Sequence, residues 1–171
     1  GSSKLAGENA VKRILKQHII IRTSWVYGSI GNNFVKTMIS LSKTKKIIKV
    51  VDDQISAPTS ARSVARTIGL IIFQMLDAKN SDPRWGIYHF SGLPFVTWAD
   101  FAEEIFNQAY QKGIISATPI VQRVSTKSFP TPAKRPENSC LNCSKIEYTF
   151  GIKSNDWKLS LTNLLGEIRG D

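Results

Sequence analysis

The stretch from His18 to Phe34 constrains the fold more than any other part of the chain. Ile19, Ile20 and Ile21 form a β-branched apolar run too short for a helix, bounded downstream by Gly28 and Gly31. Such a run reads as a strand buried on both faces. Asn33 is a good N-cap for a following helix that buries Phe34, Met38 and Leu41. In open α/β sheets, ligands bind in the crevice outside the carboxyl ends of the strands. That crevice would hold Thr23, Ser24, Trp25, Tyr27, Asn32 and Asn33, which offer hydroxyls, a large flat ring and two amides. Alternation along the strand would put Thr23, Trp25 and Tyr27 on one face. The plainer alternative makes Trp25 and Tyr27 core residues and leaves the glycines to turn the chain.

The rest of the chain continues the alternation of strand and helix. Residues 4–17 read as a helix with Ala10, Ile14 and Leu15 on one side, and 46–51 as a strand ended by Asp52-Asp53-Gln54. A loop at 57–60 precedes a helix with Val64, Ile68, Ile71 or Ile72, and Met75 at helical spacing. Residues 86–92 form a third strand. Thr97-Trp98-Ala99-Asp100 then opens, in the manner of a capping box, a helix burying Phe101, Ile105 and Ala109 that Gly113 closes. Pro119 can only begin the edge strand that runs to Val124. Phe129 to Asn138 is a stiff loop with three prolines, Lys134 and Arg135, and Leu161, Leu164, Leu165 and Ile168 mark a last amphipathic helix. This order implies the α/β class with parallel strands.

At 171 residues the chain can bury a sizeable core, and 42% hydrophobic with 21% charged residues is ordinary for a globular protein. No apolar run approaches the length of a membrane span and no signal peptide opens the chain. A membrane partner is therefore not expected, and the cytoplasm is the expected compartment. Cys140 and Cys143 have C-x-x-C spacing, but there is no second pair and the only histidines are His18 and His89. Two reduced thiols beside a short helix are expected, and no metal site. The net charge of +10 has one local cluster, Lys43, Lys45, Lys46 and Lys49, with no interleaved aromatics. Solvated faces and a few phosphate contacts account for it better than a nucleic-acid partner does.

Between the first strand and its helix the glycines give only G-x-x-G, not the G-x-G-x-x-G of a dinucleotide loop. Walker A, H-E-x-x-H and G-x-S-x-G patterns are absent too. Five other segments occur together. They are Ser3-Lys4-Leu5-Ala6-Gly7-Glu8, Arg22-Thr23-Ser24-Trp25-Val26-Tyr27-Gly28, Gly31-Asn32-Asn33-Phe34, Asp53-Gln54-x-x-Ala57-Pro58-Thr59 and Pro130-Thr131-Pro132-Ala133-x-Arg135-Pro136. In this order they resemble the dTDP-4-dehydrorhamnose reductases, extended short-chain dehydrogenases/reductases, over almost the whole chain.

The resemblance implies the C-terminal part of a Rossmann-like enzyme together with its small substrate-binding domain. On that reading residues 1–51 are the remainder of the NADP-binding domain. Residues 52–171 are mainly the substrate-binding domain, with the 57–78 helix packing back on the Rossmann part. The implied reaction is hydride transfer from NADPH, with NADH as the alternative donor, to the C4 ketone of a dTDP-6-deoxy-hexulose. The family's catalytic pair is a tyrosine and a lysine four residues apart. Lys4 matches the lysine, and the tyrosine position falls immediately ahead of Gly1. The glycine-rich NADP loop belongs to the family's N-terminal half, which is an implied partner of this chain, so the fragment by itself is expected to be inactive.

By the same resemblance Lys4, Thr23 and Ser24 lie at the cofactor, and Trp25 covers the sugar. Asn32, Asn33 and Gln54 hydrogen-bond sugar or nucleotide, and Arg135 suits the diphosphate. Some members form homodimers bridged by magnesium through acidic side chains. Glu167 matches one such position, but Arg62 stands where another carboxylate is expected, and a cation there repels the metal. Magnesium is therefore not expected, while a homodimer remains allowed. A non-catalytic regulatory subunit on the same fold and a sugar-nucleotide epimerase or dehydratase are the alternative readings.

Overall fold

The first strand, β1 (Ile19–Arg22), pairs in parallel with β6 (Gly86–His89), Ile20 lying opposite Ile87. The computed structural model describes residues 1–129, 133 and 135–169, so Pro130, Thr131, Pro132 and Lys134 of the proline loop lie outside the described residues. A long connection between β1 and β6 is required because parallel strands cannot be joined by a tight turn. The connection carries β2 (Val26–Tyr27), α2 (Phe34–Ser42), β3 (Ile47–Val51), β4 (Ile55–Ser56), β5 (Thr59–Ser60) and α3 (Ala61–Met75). After β6 come β7 (Val96–Thr97), α4 (Trp98–Gln111), β8 (Ile120–Val124), α5 (Ser144–Phe150) and α6 (Trp157–Arg169), and α1 (Ser2–Ile14) precedes them all.

These elements form two cores. In one, Ile71 and Met75 of α3 meet Tyr88, Phe90, Ile146, Phe150 and Ile152, with Ile19 and Ile21 of β1 packed against them. In the other, Val35, Met38 and Ile39 of α2 and Ile48 and Val50 of β3 meet Phe101, Ile105 and Phe106 of α4 and Trp157, Leu161 and Leu165 of α6. Each helix buries one stripe, as a 3.6-residue period requires. β3 pairs in parallel with β8 and buries alternate residues, and β2 pairs in parallel with β5. The α/β class with parallel pairing is thus present, with one antiparallel pair, β4 with β7.

Several expectations need correction. Helix α2 and strand β3 bury their apolar stripes against α4 and α6 rather than against β1. The β1 isoleucines are only half-buried, because among the described residues the strand has one neighbour, β6, and one covered face. Nor do Thr23, Trp25 and Tyr27 share a strand face. The chain leaves β1 after Arg22, and Trp25 takes a positive φ of 44° that breaks the alternation. Tyr27 is core rather than crevice: it is buried, and its hydroxyl donates to the Trp157 carbonyl at 2.9 Å. Helix α2 buries Val35 and Ile39 with Met38, while Phe34 and Leu41 are only partly covered.

The cap ahead of α4 is complete. Thr97 Oγ1 accepts from the Asp100 amide at 3.1 Å, and Asp100 Oδ2 accepts from the Thr97 amide at 3.0 Å. The segment expected to be a loop at 57–60 is fully buried and ends in β5. Opposite it lies Gly92, where a Cβ would drive into the Pro58 carbonyl oxygen and sit 3.1 Å from Trp157 Cβ. Neither neighbour can yield, since one is backbone and the other a buried tryptophan stem. Gly92→Ala should therefore cost about 2 to 3 kcal/mol through overpacking. Urea denaturation checks this, and a midpoint equal to the parent's would show that the crossing can open.

Candidate sugar-nucleotide site

At the carboxyl end of β1, Arg22 turns back to α1. Its Nε donates to Glu8 Oε1 at 2.9 Å and its Nη2 to Glu8 Oε2 at 2.6 Å, a bidentate pair. That hydrogen bonding holds the Glu8 carboxyl below its usual range. Lys4 lies one helical turn before Glu8 on the same face, about 6 Å along the axis at 1.5 Å per residue. The pair thus ties α1 to the end of β1, and Lys4 itself is exposed. Thr23 is exposed, and Ser24 Oγ donates to the Ala57 carbonyl at 3.2 Å.

Half-buried Trp25 stacks on Trp98, with ring centroids 3.6 Å apart and planes 15° from parallel. Trp98 lines a cavity of about 750 Å³ together with Phe34, Phe129, Gln54 and Arg135. Gln54 is buried, and its Nε2 donates to Thr126 Oγ1 at 2.9 Å, whereas Arg135 is exposed. Lys45 and Lys49 border the same cavity. Aromatic walls with a few polar groups and three cations suit a ligand that joins a flat apolar part to a polyanion.

Asn32 and Asn33 line a different cleft, of about 550 Å³, with Arg62, Arg66 and Glu167. The Asn33 side chain is committed to the loop: Nδ2 donates to the Gly28 carbonyl at 2.7 Å, and Oδ1 accepts from the Lys36 amide at 3.3 Å, capping α2. Asn32 is exposed. In this cleft Arg62 Nη2 pairs with Glu167 Oε1 at 2.7 Å. The carboxylate is thus answered by a cation of the chain itself, and this donor set does not fit magnesium. Both cysteines are free thiols just ahead of α5.

Residues 1–169 match the family described as RmlD substrate binding domain. The chain belongs to that family. Among its relatives is the dTDP-4-dehydrorhamnose reductase of Aggregatibacter actinomycetemcomitans, 42% identical over 164 residues, a match covering 96% of this chain and 55% of that protein. Similar solved structures include a dTDP-4-dehydrorhamnose reductase from Clostridium acetobutylicum, with TM-score 0.83, 40% identity, and 99% of this chain and 55% of that one covered. Another is the enzyme of Bacillus anthracis in complex with NADP, with TM-score 0.85, 35% identity, and coverage of 97% and 54%. The chain therefore spans about half the length of the relatives it matches, and its fold is that of the matching part of these reductases.

Sequence reasoning missed Trp98, Phe129, Lys45 and Lys49 as cavity residues. In the sequence Trp98 reads only as part of a helix start. The lysine cluster was visible, but which of its members face a cavity depends on how β3 lies against α2. The anchor of α1 is open to titration. With its pKa lowered, Glu8 contributes stability that is complete above the ordinary glutamate value of about 4.3 and is lost as pH falls through the lowered one. The difference in urea midpoint between the parent and Glu8→Gln should thus be present at pH 7 and shrink as pH falls below the ordinary glutamate value. A difference that stays constant with pH would contradict the pairing.

Proposed function

We propose that this chain is the substrate-binding, C-terminal part of an NADPH-dependent dTDP-4-dehydrorhamnose reductase, acting in the cytoplasm in the supply of dTDP-L-rhamnose for surface polysaccharide. The observation that carries this reading is the meeting of Gln54 and Arg135 in one aromatic-walled cavity beside the Trp25–Trp98 stack, in a chain 42% identical to such a reductase. In domain terms, the core around β1, β6 and α3 is the remainder of the cofactor-binding half, and the core around α2, β3, α4 and α6 is the sugar-binding part. The half-buried β1 supports this assignment, since a central strand of a larger sheet would have a second neighbour.

The chain's residues then have separate tasks. Trp25 presents a flat apolar face to the deoxyhexose ring. Arg135 binds the diphosphate through its fork geometry, with Lys45 and Lys49 adding positive charge at the same cavity. Gln54, fixed by Thr126, directs its remaining amide oxygen at the nucleotide. Asn33 keeps the glycine loop in shape, and Asn32 faces the separate cleft with Arg62 and Arg66 rather than this cavity. Thr23 and Ser24 border the nicotinamide, and NADPH supplies the hydride when bound. Lys4 holds the nicotinamide ribose and lowers the pKa of a tyrosine outside this chain, because a phenol of pKa about 10 needs a nearby cation to exchange protons at neutral pH.

The reading is tested by following NADPH oxidation with dTDP-4-dehydrorhamnose, using the full-length protein that carries this chain and the chain alone. The full-length protein should turn over and the chain alone should not. In the full-length protein, Arg135→Ala should raise KM for the sugar nucleotide about 10- to 100-fold, the worth of one charge-assisted contact, with little change in kcat. The exposed position of Arg135 predicts an unchanged urea midpoint. Turnover by the isolated chain, or no turnover by the full-length protein, would overturn the assignment.

A further inference from the structure

Trp98 is the first residue of α4, set directly after the Thr97 cap, and its ring lies face to face with Trp25 at 3.6 Å. Trp25 has a φ of 44°, in the left-handed region that bulky side chains occupy only when their surroundings hold them there. Its backbone carbonyl accepts from the Thr59 amide at 3.1 Å, which fixes the peptide but not the ring. Phe34 meets Trp98 at 4.6 Å and Phe101 lies at 6.5 Å. The Trp98 indole Nε1 is buried and has no acceptor among the described residues, so the ring is held by its faces and not by its edge.

We infer that Trp98 is a positioning residue for sugar binding: it covers one face of Trp25, fixes that ring in a single orientation and leaves only the opposite face for the sugar. This rests on the proposed role of Trp25 in a dTDP-sugar reductase. A ring stacked on one side can accept a ligand only on the other, which makes the site a three-layer sandwich of Trp98, Trp25 and hexose. Because stacking alone carries the effect, an aromatic replacement without an N–H should serve nearly as well.

The test uses the full-length protein. Stacked indoles couple their transitions and give a couplet in far-ultraviolet circular dichroism. The ligand-free protein should show it, and Trp98→Phe and Trp25→Phe should each abolish it. Trp98→Leu should lower kcat/KM for dTDP-4-dehydrorhamnose about 10- to 100-fold, as expected when a reacting group is left loosely placed. KM for NADPH should stay within about twofold, and Trp98→Phe should recover kcat/KM to within about threefold of the parent. Added to Trp25→Leu, Trp98→Leu should cost little more, because the two act as one unit. A missing couplet, an unchanged kcat/KM in Trp98→Leu, or effects that multiply would each overturn the inference. Should the parent fail to turn over the ketosugar, the reductase reading falls, and calorimetric affinity for dTDP-L-rhamnose decides the positioning role through the same variants. Equal affinities in all forms, or no binding by any, would overturn it.

Discussion

The two cores meet at one crossing, and the geometry of the site depends on it. There Gly92 lies against the Pro58 carbonyl, and Trp157 packs its stem beside Gly92. Leu93 donates its amide to the Asn155 carbonyl and accepts from the Trp157 amide, while the Trp157 indole donates to the Pro94 carbonyl at 2.9 Å. Tyr27 closes the arrangement by donating to the Trp157 carbonyl, and burial pushes its phenol well above the usual value. The Leu93 and Trp157 backbone groups, the Trp157 indole and the Tyr27 hydroxyl are all paired here, and paired buried groups rigidify a core rather than weakening it. Because β2, the 92–94 segment and the start of α6 are tied in this way, the residues just before β2 have little freedom. Trp25 is among them.

A second set of ties fixes the other side of the stack. Arg123 on β8 reaches Asp52 at 2.9 Å, Asp100 at 2.8 Å and Glu103 at 2.7 Å, and Thr97 donates to Asp52 at 2.7 Å. Single exposed ion pairs contribute little, but one guanidinium shared by three carboxylates, one just after β3 and two on α4, holds several elements in register. Asp52 is two residues before Gln54, and Thr97 is the residue before Trp98. The network thus sets the distance between the amide and the ring that line the same cavity. Asp53 accepts from the Thr126 amide at 2.9 Å, so the turn that carries the partner of Gln54 is held as well.

Much of this was legible in the chain. Periodicity located the helices, the capping box was readable from Thr97 and Asp100, and the short isoleucine run was a strand. What failed was long-range. No local pattern tells α2 and β3 to join α4 and α6 rather than β1, because an amphipathic stripe states that a face is buried and not against what. Strand alternation points Tyr27 at the crevice only if it is carried through residues that do not form a strand. A tryptophan at positive φ defies local preference, and only the stack on Trp98, 73 positions away in the chain, makes it intelligible. Gln54 and Arg135 were found as a motif, yet their sharing of one cavity is a fact of the tertiary structure.

The elements that carry Trp25 and Lys4 are held with unequal stiffness. Around Trp25 there are a stacked second indole, a complete helix cap and a shared-charge network. Lys4, by contrast, rides on a helix of 13 residues that buries none of them, with Leu5 and Ile14 exposed. A helix of that length is marginal in water without a packed face, so among the described residues its place relative to β1 rests largely on the Glu8–Arg22 pair. Exposed charge pairs are soft restraints, screened by salt and lost with protonation. The elements around the Trp25–Trp98 stack are therefore held by more restraints than α1 is. Lys4 has no comparable support among the described residues, because the apolar Leu5 and Ile14 of its helix stay exposed instead of packing.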